Sequence, residues 1–166
     1  MMVYSLWRLF WFVVLFLVQM LVLNQIHLFN YATPLLYVYF VITFRRGYPK
    51  WAILLWSFAL GLSCDMLVNT PGVAAASMTL IGAIQPYLLE LFIPRDSIET
   101  LNVSARTLGW TKFTVLTSTL VVIYCMLFYA LEMFTTIHWF NWLMNTVGSI
   151  LITLLLIFPL ETIRKS

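Results

Sequence analysis

Side chains able to act as acids, bases or ligands are scarce in this sequence, and nearly all stand at the ends of long apolar runs. Asp65 stands inside one. Counted from Trp51, it lies about 21 Å along a helix that rises 1.5 Å per residue. That depth is the outer third of a bilayer, near the connection to the next apolar run. A carboxylate there is costly and turns inward to a partner. Thr70, Pro71 and Gly72 follow in the order of an N-cap, a first-turn proline and a small first-turn residue. The start of the next helix then offers Asp65 unpaired N–H groups and the positive end of a dipole. Two roles are open: a lock for this helical hairpin, or a site for a ligand, ion or partner. The lock is the preferred reading.

The remaining polar residues point to packing more than to catalysis. Thr114, Thr117, Ser118 and Cys125 share about one face of a later helix. Asn141, Asn145, Gly148 and Ser149 share a face of the last one. Both stripes read as interhelical hydrogen-bonding faces, with a polar substrate pocket between them as the lesser alternative. Glu132 at an outer end reaches water. Glu90 and Glu161, near inner ends, can pair with Arg or Lys. His27 and His138 have no Cys, Asp or Glu at metal-ligand spacing. Cys64 and Cys125 lie in apolar runs with no C-x-x-C and read as small apolar fillers. There is no G-x-S-x-G, H-E-x-x-H or phosphate-binding glycine loop. One acid well inside the membrane argues against a proton relay or a paired-carboxylate site. The expectation is a binding, scaffold or assembly role, with no catalytic residue, no cofactor and no metal.

The elements that position these residues follow from composition. Of 166 residues, 63% are hydrophobic and 9% charged, against about 25% charged in a soluble domain. The excess apolar surface must face lipid. The expectation is an all-α, single-domain, polytopic membrane bundle of about six transmembrane helices, over residues 3–23, 28–44, 51–68, 72–93, 113–131 and 139–160. The second is short, with Pro34 near its start. The first follows Arg8 and lacks a small-residue cleavage site, so it reads as a retained helix rather than a signal peptide. Arg8, then Arg45, Arg46 and Lys50, then Arg95, Arg106 and Lys112, then Arg164 and Lys165 fall on one side if the spans number six. The positive-inside rule makes that side, and both termini, cytoplasmic. Trp7, Trp11, Trp51 and Trp110 sit at that boundary, Trp139 and Trp142 at the other; Trp56 is placed against a neighbouring helix or lipid tails. The net charge of +3 is scattered without a basic stripe, which points away from nucleic acid.

The fourth helix is rich in small residues, among them Ala75 and Ala76, with Ala75, Thr79 and Ala83 at four-residue spacing. Such a face lets another helix approach closely, and internal packing is the favoured use. Pro86 removes a backbone bond to residue 82, a glycine that relieves the ring clash, so a kink is expected there. In the loop before the fifth span, Ser97–Glu99 and Ser104–Leu108 are candidates for a short interfacial helix.

Over nearly its whole length the chain resembles MreD, the rod shape-determining membrane protein family of bacteria. The likeness is densest over Gly61-Leu62-Ser63-Cys64-Asp65-Met66, then Thr70-Pro71-Gly72 with Ala74-Ala75-Ala76, then Pro86-Tyr87, Pro94-Arg95-Asp96 and Leu131-Glu132-Met133-Phe134. The interval from Asp65 to Gly72 departs from the pattern, being slightly tighter than in many members. The resemblance implies a non-enzymatic subunit of the cell-elongation complex in the bacterial cytoplasmic (inner) membrane. Such a subunit binds the bitopic protein MreC and, through it, cooperates with MreB, RodA and its penicillin-binding transpeptidase in peptidoglycan synthesis. It also implies a fold similar to the S-components of energy-coupling-factor transporters. The candidate structural or partner-binding residues are then Gly61, Asp65, Thr70, Pro71, Gly72, Ala75, Ala76, Pro86, Glu132, Asn141 and Asn145. The alternative is a small-molecule-binding S-component, against which the bulky first helix lacks the usual Ala-rich spacing. A lipid-metabolic membrane enzyme comes third.

Overall fold

The computed structural model describes residues 2–21, 35–69, 72–93, 96, 102–135 and 138–164. Among these the chain is all-helical: α1 (Met2–Leu21), α2 (Val38–Ile42), α3 (Lys50–Val68), α4 (Val73–Phe92), α5 (Ala105–Leu108), α6 (Trp110–Glu132) and α7 (Trp139–Arg164), with a 3-10 turn at Met133–Thr135 between the last two. In lipid every backbone polar group must be satisfied internally, which is why apolar runs of this length coil as helices. Val73–Phe92, Trp110–Glu132 and Trp139–Ile163 are long and apolar enough to cross a membrane, and Leu6–Leu21 is a shorter apolar stretch.

One expected element is different. The second apolar run does not form a continuous helix over its described part. Residues 35–37 are a turn, and α2 is helical only from Val38 to Ile42. The part at 28–34 lies outside the described residues. Yet Leu35 to Ile42, and Phe44, are all buried. This short segment is the centre of the molecule, packed against α1, α4 and α6. Around it sit Leu15 of α1, Ile53 and Leu60 of α3, Met78 and Ile81 of α4, and Leu116 and Leu120 of α6. Trp56 packs on Phe12 and Phe40, ring centroids 5.6 and 6.3 Å away, so it takes the neighbouring-helix position.

The outer surface is apolar. On α7, Leu143, Val147, Leu151 and Leu155 are exposed at four-residue spacing. On α1 the exposed row is Leu6, Phe10, Val13, Leu17 and Leu21. Rows of this kind on the outside of a helical bundle are what a hydrocarbon solvent requires.

The loop helix α5 covers the expected Ser104–Leu108 stretch. Ser104 accepts from the Thr107 N–H, and the Thr107 hydroxyl oxygen accepts from the Ser104 N–H, a reciprocal cap. The expected helix at Ser97–Glu99 lies outside the described residues. α4 continues as helix through Pro86.

Candidate functional site

Asp65 is 4% exposed, in the last turn of α3. Its Oδ1 accepts from the Ala74 N–H at 2.9 Å and its Oδ2 from the Ala75 N–H at 2.8 Å. These are orphan donors in the first turn of α4. The N-cap position of α4 is Gly72, at φ +75°, which has no side chain to cap with. Asp65 therefore caps α4 from the adjacent helix, with charge placed at the positive dipole end. This corrects the expectation that Thr70 is the N-cap; Thr70 and Pro71 themselves lie outside the described residues. The turn is tight because α3 closes on Asn69 at φ +63°, whose N–H donates to the Asp65 carbonyl.

Gly61, one turn before Asp65, lets the two helices meet. A Cβ on Gly61 would stand 2.6 Å from the Ala75 Cα and 2.7 Å from the Ala74 carbonyl oxygen. Ala74 and Ala75 are consequently buried in the hairpin. Further along, Gly82 faces Ser57 in the same way, a Cβ falling 2.6 Å from Ser57 Oγ. The small-residue face of α4 is thus occupied by α3. Ala76 and Gly72 remain exposed, Pro86 is half-buried, and Glu132 and Asn141 are exposed near helix ends. Asn145 is half-buried and its Oδ1 has no hydrogen-bond partner among the described residues. Of the expected α7 stripe, Ser149 makes an interhelical bond, 2.5 Å between its Oγ and the Tyr129 hydroxyl of α6. Thr117, on the α6 stripe, is buried with its Oγ1 likewise unpartnered among the described residues, and Thr114 bonds back to the Trp110 carbonyl of its own helix.

The residues missed from sequence are those that hold α2. The turn that opens α2 makes successive bonds from Val38, Tyr39 and Phe40 back to Leu35, Leu36 and Tyr37, and its first N–H groups, buried in an apolar surround, need partners from other elements. Leu35 N–H donates to Thr153 Oγ1 of α7 at 3.1 Å, and Leu36 N–H to Gln19 Oε1 of α1 at 2.9 Å. At the other end, Gln85 of α4 donates to the Phe44 carbonyl at 3.2 Å, and Arg8 of α1 reaches the Thr43 carbonyl at 3.4 Å. The Arg8 charge at that C-terminal end complements the dipole. The α2 side chains are tied as well. The Tyr37 hydroxyl meets that of Tyr124 in α6, and Tyr39 donates to Glu161 Oε2 of α7 at 2.5 Å. Glu161 Oε1 also accepts from the Ala105 N–H, the first of α5, at 2.9 Å. Glu161, expected to pair with a nearby Arg or Lys, accepts here from a tyrosine hydroxyl and a backbone N–H. It is 3% exposed and joins α2, α5 and α7. A lone Gln within an apolar run, as at Gln19 and Gln85, is the signal that was there to be read.

Thr153→Val keeps shape and removes the acceptor for Leu35. The expected cost is about 1–3 kcal/mol, the penalty for stranding a buried N–H. Thr153→Ser should retain most of the stability. Thermal unfolding in detergent checks both, and equal melting temperatures for the two variants would exclude the cap.

Chemically, these carboxylates and amides act as acceptors and donors for backbone groups. Among the described residues no three His, Cys, Asp or Glu side chains gather where they could hold a metal ion. Comparison with protein-family models, with curated proteins and with solved structures gives no match.

Proposed function

We propose that the chain is an MreD-type subunit of the bacterial cell-elongation complex. It crosses the cytoplasmic membrane six times with both termini inside. It binds MreC without catalysing a reaction and, through MreC, acts with MreB, RodA and the transpeptidase. The observation that carries this reading is the interlock of Gly61, Asp65, Ala74 and Ala75. It joins the two segments where the resemblance is densest. Intramembrane polar groups such as Asp65, Gln19 and Thr153 are engaged in holding the chain's own backbone. A rigid body with an apolar perimeter suits a docking subunit.

Six spans and a one-sided distribution of charge are supported by contacts at one end of the bundle. Arg8 meets Thr43, beside Arg45 and Arg46. Lys50 lies 4.2 Å over the Tyr87 ring near the end of α4. Glu161, one turn from Arg164, meets Ala105, beside Arg106. These contacts bring the first basic group beside the second and the fourth beside the third.

A single membrane helix has an open row on α4 to pack against: Gly72, Ala76, Leu80, Tyr87 and Leu91 are exposed. Ala75, buried against Gly61, is unavailable. Ala76→Trp is expected to leave membrane abundance intact and to reduce MreC recovery in a membrane pull-down severalfold. Undiminished recovery would remove this row as the docking face. Recovery of a transporter coupling subunit in place of MreC would favour the S-component alternative. For topology, Gly47→Cys and Thr111→Cys should both resist a membrane-impermeant thiol reagent in intact spheroplasts. Labelling of only one of them would overturn the six-span arrangement.

A further inference from the structure

α7 is less enclosed by the rest of the protein than α4 or α6, and it presents two faces. One is buried in the bundle: Thr146, Ser149, Thr153, Ile157 and Glu161. There Thr153 and Glu161 hold α2, and Ser149 meets Tyr129 of α6. The other runs Asn141, Asn145, Gly148, Ile152 and Leu155, at spacings of four, three, four and three residues. Every residue of this second row is half-buried or exposed. An alternation of four and three averages about 3.5 residues, the repeat of a seam between two supercoiled helices. Left-handed crossings of that kind are also the commonest in membrane bundles.

The polar members of the row stand where an amide needs a partner. Asn145 lies six residues past Trp139, about 9 Å along the helix, and so below an indole that settles at headgroup level. At that depth an unbonded amide is costly. Asn145 Oδ1 is enclosed yet has no hydrogen-bond partner among the described residues, and Asn141, one turn above it, is exposed. The stripe Asn141, Asn145, Gly148 and Ser149 therefore divides: Ser149 bonds inside the bundle and Asn145 does not. A carboxamide carries both a donor and an acceptor, and a turn about its terminal bond exchanges them.

We propose that this row is the interface of a two-fold dimer, α7 packed against α7 of a second copy. Two copies share one orientation in the membrane, because the same basic residues orient each. A two-fold axis along the membrane normal then sets the two α7 helices parallel. In a parallel seam each position meets its own counterpart. Asn145 meets Asn145 of the second copy, and each amide donates to the oxygen of the other. A copy supplies that matching amide by symmetry, at the right depth, whereas a foreign helix would have to carry one there independently. Lipid tails offer the amide nothing. Gly148, next along the seam, lets the backbones approach, and Leu155, 70% exposed, gains cover. The interface concerns α7 and not the α4 row, and it does not depend on the cell-elongation reading.

The test uses the full chain in phosphatidylcholine–phosphatidylglycerol vesicles, with copies carrying donor or acceptor dyes, read by energy transfer as the protein is diluted in lipid. A dimer is expected. Asn145→Leu should weaken it about tenfold, the order expected for the loss of an intramembrane amide pair. Its melting temperature in detergent should hold, since Oδ1 has no partner within the described fold. Asn145→Gln, which keeps an amide, should recover part of the association. Leu155→Cys, on the seam, should cross-link to its own kind on oxidation in membranes. Val147→Cys, exposed on the same helix but off the seam, should not. The native Cys64 and Cys125 are buried. These two cysteine variants decide the question should Asn145→Leu fail to fold. An unaltered chain that is monomeric at every dilution overturns the proposal. So does association unchanged in Asn145→Leu, and so does equal cross-linking of Val147→Cys and Leu155→Cys. Cross-linking of Leu155→Cys in native membranes only to a chain of different mass overturns it too, and gives the face to a foreign helix.

Discussion

Asp65→Ala is expected to lower the melting temperature of the detergent-solubilised protein by many degrees and to reduce its abundance in membranes. The carboxylate accepts two N–H bonds at 2.9 and 2.8 Å from the first turn of α4. Hydrogen bonds to a charged group contribute about 1.5–3 kcal/mol each. Against this stands the cost of keeping a carboxylate at 4% exposure, which alanine removes. The stranded N–H groups decide the sign, because Gly72 at the N-cap position has no side chain to replace the lost acceptor. A net loss of about 2–4 kcal/mol is therefore expected, in the range set by an unsatisfied buried pair. Asp65→Asn should fall between the two, its amide oxygen serving one N–H while its NH₂ opposes the other. The same variants address the partner question. If Asp65→Asn lowers abundance and MreC recovery in proportion, the residue acts through the hairpin. Normal abundance with lost recovery would place it at the interface. A melting temperature unchanged in both variants would show that α4 is capped by something else.

Gly61 provides the second large effect, and there two physical arguments predict opposite signs. By helix propensity, Gly61→Ala should stabilise α3 by about 1 kcal/mol. By packing it should destabilise, because the new methyl would meet the Ala75 Cα at 2.6 Å and the Ala74 carbonyl at 2.7 Å. These are backbone atoms, with no rotamer to move out of the way. Relief requires α3 and α4 to separate, which also lengthens both Asp65 bonds. Overpacking of this kind costs about 1–3 kcal/mol or more, so packing wins and Gly61→Ala is expected to be less stable. Gly61→Val should not accumulate in the membrane at all. Gly82→Ala is the internal comparison. Its nearest obstacle, Ser57 Oγ at 2.6 Å, belongs to a small side chain with other rotamers, so the loss there should be smaller. Melting temperatures that ranked Gly82→Ala below Gly61→Ala would contradict the backbone-contact account.

Much of the α3–α4 hairpin was legible in the sequence because its contacts are local. Asp65 and its partners are separated by 9 and 10 residues, and an acid before a small-residue helix start has few alternatives in lipid. What misled was the capping residue. Thr70 has the right chemistry for an N-cap, but the backbone enters α4 through a left-handed Gly72 and leaves the role to Asp65. Of the four-residue repeat Ala75, Thr79, Ala83, Ala75 is buried, while Thr79 and Ala83 are half-buried. The closest approach falls at Ala74 and Ala75, set by where Gly61 arrives from the other helix.

By itself the sequence determined the solvent and the helical class, since so large an apolar fraction with so few charges cannot be enclosed by one core and a backbone in lipid must bond to itself. Only the tertiary structure decided that, in the described part of the second apolar run, the α-helix is confined to Val38–Ile42, and which groups hold it. Hydropathy scores a residue facing lipid and one facing protein alike, so an apolar stretch such as 35–44 looks the same whether it faces lipid or, as here, is enclosed by protein. The groups that settle it, Thr153 for Leu35 and Glu161 for Tyr39, come from 118 and 122 residues away. No periodicity within the run records partners at that distance.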